Sequence, residues 1–248
     1  MKYADNPTRA HRSRSLMLLL TVLSVGLGGR TPAALGQGAD SSFSSYVTIS
    51  TDYPHRGMSQ TNESAALQAG VDFQHRSGFF VGAWVSNVEY VVEVFRVEPR
   101  DIELDTYVGY SWQTSDWSLA ATLVRYAYPG ASFSYDYTEL SGSVGFRQRF
   151  FYTVSYTDSL LAQDASAMNH EFGVELPLPW STEFGASVGR FDSDDVRAGD
   201  YDHWNLGISK QVRQFSLDLR YYDTDNTLVS HLGTPLHESW VLSLSYTL

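Results

Sequence analysis

The sequence has no cysteine in its 248 residues, which removes disulfides as a source of stability and thiols as a source of chemistry. It is poor in positive charge, with 17 Lys and Arg against 28 Asp and Glu. Nucleic acid is thereby excluded as a partner, because phosphate binding needs clustered basic side chains. Beyond its N-terminal segment it has no apolar run approaching the roughly eighteen residues that a membrane helix requires. If the chain lies in a membrane, only a closed barrel can carry it, since every backbone N–H and C=O must find an internal partner in hydrocarbon. Absent too is the H-E-x-x-H spacing of metalloproteases.

What is present begins with a targeting segment. Arg9, Arg12 and Arg14 precede an almost wholly apolar run from Leu16 to Leu27, and Pro32 to Gly36 is a small-residue region. This is the order of a secretory signal peptide, expected over residues 1–36 with cleavage near Gly36 or Ala39, and followed by one domain over 37–248. An N-terminal anchor or buried helix is the alternative. Without residues 1–36 the chain carries 12 basic and 27 acidic residues, a net charge of −15.

The remaining sequence alternates with period two in segments of about nine to eleven residues, the length of a tilted membrane strand. In the last of them Trp240, Leu242, Leu244, Tyr246 and Leu248 oppose Ser239, Val241, Ser243, Ser245 and Thr247. Leu104, Val108, Tyr110 and Trp112 likewise oppose Glu103, Asp105, Tyr107 and Ser111, whereas parity is ambiguous around 79–88 and 118–128. Strands are expected at 43–52, 65–74, 79–88, 102–112, 117–128, 137–146, 150–157, 169–177, 182–191, 202–210, 215–222 and 239–248. Six long connections alternate with five short ones, as in an outer-membrane barrel with short periplasmic turns and longer external loops. Trp112, Trp117 and Trp180 fall beside short turns, and Trp204, Trp240 and Tyr137 beside long loops, which predicts two aromatic girdles. The expectation is an all-β, transmembrane, antiparallel up-and-down barrel of twelve strands in a Gram-negative outer membrane. A soluble barrel, with its apolar face turned inward, is the alternative.

Thr51-Asp52-Tyr53-Pro54-His55-Arg56-Gly57-Met58-Ser59-Gln60-Thr61, followed by Leu67 to Phe73 and Ser77 to Trp84, resembles the TorF family of outer-membrane proteins. Glu103 to Tyr110, Tyr126-Ala127-Tyr128-Pro129-Gly130 and Tyr137-Thr138-Glu139 fit the same pattern. Thr51 stands where that family tends to have Ser, and Ala65-Ala66 where it has Pro-Ala. The chain ends in Leu248 in place of the Phe common to such barrels, with Tyr246 keeping the aromatic third from the end. The resemblance implies a barrel with a porin's role and no assigned solute.

By parity the lumen receives Asp52, Asp72, Glu103, Asp105, Glu139, Glu171, Glu175, Glu183 and Asp218 against Arg147 and Arg220. Such a wall is expected to favour cations or neutral solutes, because charged rings set selectivity in pores. Side chains pairing with one another at the rims are the blander reading. The loop motif of Asp52, Arg56, Gln60 and Gln68 is expected either to fold inward and narrow the channel or to be braced by an Arg56–Asp52 pair. Asp192-Ser193-Asp194-Asp195 with Asp200 and Asp202 lacks the EF-hand spacing and reads as a solvated loop, with a divalent or lipopolysaccharide-bridging site as the alternative. The functional expectation is passive diffusion of small hydrophilic solutes without cofactor or catalysis. Expected partners are membrane lipid, lipopolysaccharide and, during biogenesis, the barrel-assembly machinery. A closed receptor or structural barrel, and an outer-membrane lipid hydrolase, are the competing classes.

Overall fold

The computed structural model describes residues 41–89, 102–131, 134–195, 198–227 and 232–248; the signal peptide expected over 1–36 lies outside them. Fifteen strands follow one another: β1 (Ser42–Ser50), β2 (Pro54–His55), β3 (Met58–Ser59), β4 (Ala66–Gln74), β5 (Phe79–Asn87), β6 (Ile102–Gln113), β7 (Trp117–Ala127), β8 (Tyr137–Phe146), β9 (Phe150–Thr157), β10 (Ala167–Leu178), β11 (Thr182–Ser193), β12 (Tyr201–Val212), β13 (Phe215–Thr224), β14 (Thr234–Pro235) and β15 (Ser239–Thr247). Twelve of them form a closed antiparallel barrel in the order β1-β15-β13-β12-β11-β10-β9-β8-β7-β6-β5-β4, with β4 returning to β1. Each chain neighbour pairs with the next, so closure leaves no free edge, the condition under which strands persist in lipid.

The outer wall is the apolar face read from the sequence. Leu67, Val81, Leu104, Leu123, Leu140, Phe172, Leu206, Leu219 and Leu242 all stand exposed on it, while Thr48, Gln68, Asp72, Glu103, Thr153, Asn169 and Ser245 point inward and are buried. A soluble barrel would reverse this arrangement. Among the described residues no helix is long and apolar enough to cross a membrane. The closed ladder with its apolar outer face makes the protein a transmembrane barrel of the outer-membrane type. The long connections define its external end and the short ones its periplasmic end.

Trp112, Trp117 and Trp240 are exposed on strands of the outer wall and Trp180 in the turn after β10, whereas Trp204 is only partly exposed. Tyr137 is not on that wall. It is 5% exposed and stacks on Tyr126 with ring centroids 4.5 Å apart inside the barrel, because the first residue of β8 shares the inward parity of Glu139. The two ambiguous segments resolve with Phe80, Trp84 and Val88, and Val124 and Tyr126, facing inward. Their inner face is apolar because something apolar fills the barrel at that level.

That filling comes from the external loops. Within the first long loop β2 and β3 form a short hairpin, and β14 from the last long loop adds to it through Thr234 opposite Ser59. This three-stranded sheet is buried inside the external half of the barrel, where Tyr53, Met58, Ser59, Thr61 and Leu236 are each at most 2% exposed. Leu160 and Leu161 from the loop after β9 pack into the same cluster with Phe191 and Tyr201. The fold therefore has a continuous outer wall and an internal plug at its external end.

Candidate functional site: the barrel lumen

The hairpin turns at Arg56 and Gly57, which take φ of 50° and 77°. At Gly57 a Cβ would come within 2.8 Å of His203 Cβ and 3.0 Å of Thr224 Cβ, so both the left-handed conformation and the close approach call for glycine. The turn aims Arg56 across the lumen. A single nitrogen, Nη2, donates to both Glu139 Oε1 and Oε2 at 2.8 Å, and both side chains are at least 95% buried. The guanidinium also lies 6.0 Å from the centre of the Phe191 ring. Burial pulls the Arg56 pKa down, but Glu139, Tyr126 and Tyr137 more than offset it and hold the arginine charged.

Asp52 does not brace Arg56. Its Oδ1 accepts from Ser59 Oγ at 2.6 Å, Thr61 Oγ1 at 2.8 Å and the Tyr53 N–H at 2.7 Å, tying the base of the hairpin together. Burial raises its pKa, and these three bonds oppose the rise. Gln60 Nε2 donates to Leu232 O at 2.7 Å and links the two inserted loops. His55 is pushed well below the usual histidine range by burial and then by Arg56 and His203. Gln68 lies on β4, facing inward and buried, and so belongs to the wall, not to the loop.

Of the other lumen residues expected from the sequence, Asp72, Glu103, Asp105, Glu139, Glu171 and Glu175 are inward and buried. Glu103 accepts from Tyr53 Oη at 3.3 Å, so it too touches the plug. Asp72 accepts from the Tyr107 hydroxyl. That ring lies flat across the wall over Gly82, where a Cβ would approach it to 2.5 Å. Asp218 and Arg220 pair with each other at 3.2 Å. Arg147 corrects the parity reading. It sits in the turn between β8 and β9, not in a strand; its side chain is 65% exposed and pairs with Asp116 of the neighbouring periplasmic turn at 3.2 Å. The positive charge opposing the carboxylates is thus Arg56, supplied by the plug, together with Arg220.

The acidic stretch near 192–202 is organised by Arg190, which reaches Asp192 at 2.9 Å, Asp202 at 3.2 Å and Asp200 at 3.8 Å on the outer surface. Among the described residues no three His, Asp or Glu side chains converge to hold a metal ion.

Among the described residues two voids inside the barrel share no lining residue. The outer one lies between His55, Arg56 and Gln60 of the plug and Glu103, Tyr137 and Phe191 of the wall. The inner one opens among Thr153, Glu171, Glu175, Ser187, Asn205 and Arg220.

A polar lumen inside a lipid-facing wall, narrowed by an inserted hairpin, defines a porin-like barrel of twelve strands. The chain belongs to the family described as "Bacterial protein of unknown function (Gcw_chp)", whose model matches residues 35–247. No curated protein matches it in sequence. In fold it is similar to the NanC porin, with a TM-score of 0.53 and 8% identity over 84% of this chain and all of that one. The KdgM porin reaches 0.49 at 7% identity, over 83% of this chain and 98% of that one. LpxR from Salmonella typhimurium reaches 0.46 at 10%, over 82% of this chain and 99% of that one. At these identities the likeness speaks to the fold alone.

Proposed function

We propose that the protein is an outer-membrane channel for passive diffusion of small hydrophilic solutes, with a lumen that favours cations or neutral molecules over anions and has no catalytic role. The observation that carries this reading is the inner wall itself. Asp72, Glu103, Asp105, Glu139, Glu171, Glu175, Glu183 and Asp218 project into the barrel from six of its strands, against Arg220 of the wall and Arg56 of the hairpin. Carboxylates lining a narrow, low-dielectric passage concentrate cations and repel anions. The resemblance to TorF proteins and the porin role of NanC, whose fold this barrel shares, point the same way.

One observation favours a second reading, a closed barrel acting as a receptor or structural element. The hairpin is bonded to the wall through Arg56–Glu139 and to the last loop through Gln60, and a plug so anchored could keep the lumen shut. Liposome swelling separates the two. Vesicles containing the folded protein are expected to swell in isosmotic neutral sugars of increasing size up to a cut-off; swelling no faster than in protein-free vesicles, even for the smallest sugar, overturns the channel.

A further inference from the structure

The inner void lies toward the periplasmic end, and its wall sets one row of residues across four adjacent strands. Glu175 on β10 faces Gly185 on β11, Gly185 faces Gly207 on β12, and Gly207 faces Arg220 on β13. The two glycines leave a floor without side chains, and Arg220 lies along it. A Cβ at Gly207 would come within 2.9 Å of Arg220 Cβ, and one at Gly185 within 3.1 Å of Nη2 and 3.4 Å of Nη1. The guanidinium thus ends over β11, one strand from Glu175, and neighbouring strands stand about 4.8 Å apart.

The two charges are neighbours without being partners. Arg220 donates Nε and Nη2 to Asp218 at 3.4 and 3.2 Å, and Nη1 to Asn205 Oδ1 at 2.7 Å. Three of its five N–H groups are then used, and one on each Nη is left. Glu175 Oε2 has no hydrogen-bond partner, although the residue is only 9% exposed. A buried acceptor left bare costs about 1–3 kcal/mol, and more when charged, so it marks where a donor belongs. Arg220 and Glu175 both line the void, with Glu171, Ser187 and Asn205 beside them.

We infer that this void is a binding site for a small zwitterion of the α-amino acid class, its carboxylate on the free Nη hydrogens of Arg220 and its ammonium on Glu175. In such a solute both charged groups are attached to one carbon, so their partners must stand close together, as groups one strand apart do. A lone cation would meet the guanidinium, and a lone anion would meet Glu175 and Glu171. A ligand of both signs satisfies the two at once, through charge-assisted bonds at each end. The inference deepens the channel reading, on which it rests for the passage of the solute; occupancy of the site does not require passage.

The test is a saturation-transfer NMR titration of L-alanine against the protein refolded in deuterated detergent, beside liposome swelling with the same preparation. Saturable binding of L-alanine is expected. Ethylammonium, which lacks the carboxylate, and propionate, which lacks the ammonium, should each bind about tenfold or more weakly. Glu175→Gln and Arg220→Gln should weaken L-alanine by a similar factor while keeping the heat-modifiable gel mobility of a folded barrel. A variant that loses that mobility is set aside, and the three-ligand comparison on the unmodified protein decides. Ethylammonium or propionate binding as tightly as L-alanine overturns the site, as does undiminished binding in folded Glu175→Gln. Equal competition by glycerol, which carries hydroxyls and no charge, overturns the zwitterion. No saturable binding by a protein that swells vesicles overturns the site and leaves the channel standing; binding by a folded protein that never swells them keeps the site and overturns the channel.

Discussion

Arg56, at the tip of a hairpin from the first external loop, spans the lumen to Glu139 on β8 and places one nitrogen 2.8 Å from both carboxylate oxygens. The pair joins a loop to a wall 83 residues further along the chain, and it is the one ion pair among the described residues in which both partners are at least 95% buried. Removing one partner of such a pair leaves a charge stranded in low dielectric, at a cost of about 3–5 kcal/mol. Arg56→Ala and Glu139→Gln should therefore loosen the plug without unfolding the barrel. Limited proteolysis of the folded protein is the check: cleavage within 53–62 should rise in both variants. Arg56→Met combined with Glu139→Leu should recover much of the protection, because a buried ion pair and a well-packed apolar pair are often similar in stability.

Acidification should act on the same hairpin through His55. Burial, Arg56 and His203 hold its docked pKa well below the ordinary value of 6.5, so the released hairpin takes up a proton that the docked one refuses. The contribution to docking is complete above pH 6.5 and is lost as pH falls below it, by at most about 1.4 kcal/mol per pH unit until the docked pKa is reached. Asp52, whose pKa is raised, has the opposite sign: it favours docking at low pH and disfavours it as pH rises through its docked value. Proteolytic opening measured between pH 7 and pH 5 should increase on acidification, and His55→Gln should flatten the dependence. An unchanged slope in that variant would remove His55 from the account.

Gly82 and Tyr107 form a second coupled pair. The ring occupies the space a side chain at 82 would fill, and from there its hydroxyl donates to Asp72. Gly82→Val should displace the ring and strip Asp72 of that donor, costing about 1–3 kcal/mol from overpacking alone. The midpoint of urea unfolding in lipid vesicles should fall accordingly, while Tyr107→Phe, which keeps the ring and loses the donor, should fall by less.

The periplasmic turn after β8 carries Arg147 and Gln148, both at φ of 54°. Paired positive φ is the type I′ arrangement that Asn-Gly satisfies without strain. Gln148→Gly should thus raise barrel stability by about 1 kcal/mol, read as a higher urea midpoint with an unchanged slope, and it leaves the Arg147–Asp116 pair in place.

How far the sequence discloses this structure depends on whether the signal is local. All twelve barrel strands are legible, within about two residues at each end, because lipid outside and polar groups inside impose period two on every crossing. Segments 79–88 and 118–128 resist that reading because Trp84, Val88, Val124 and Tyr126 are apolar on the inner face too, facing the plug. Their neighbours are distant in sequence, and no local pattern announces them. Nearness to a loop points Tyr137 to a girdle, although its parity with Glu139 directs it inward. Parity carries Arg147 across a boundary where the strand has ended. Asp52 is the nearest acid to Arg56 in sequence, whereas its partner is brought to it by barrel closure.

The central claim is that a cation-favouring passage runs through this barrel, past the hairpin that Arg56 anchors. Single-channel recording in a planar bilayer under a salt gradient tests it most directly, with the unmodified protein and Arg56→Ala side by side. The account predicts discrete conductance in both, larger in the variant, with reversal potentials on the cation-selective side. Silence from both folded proteins, or a reversal potential favouring anions, would contradict it.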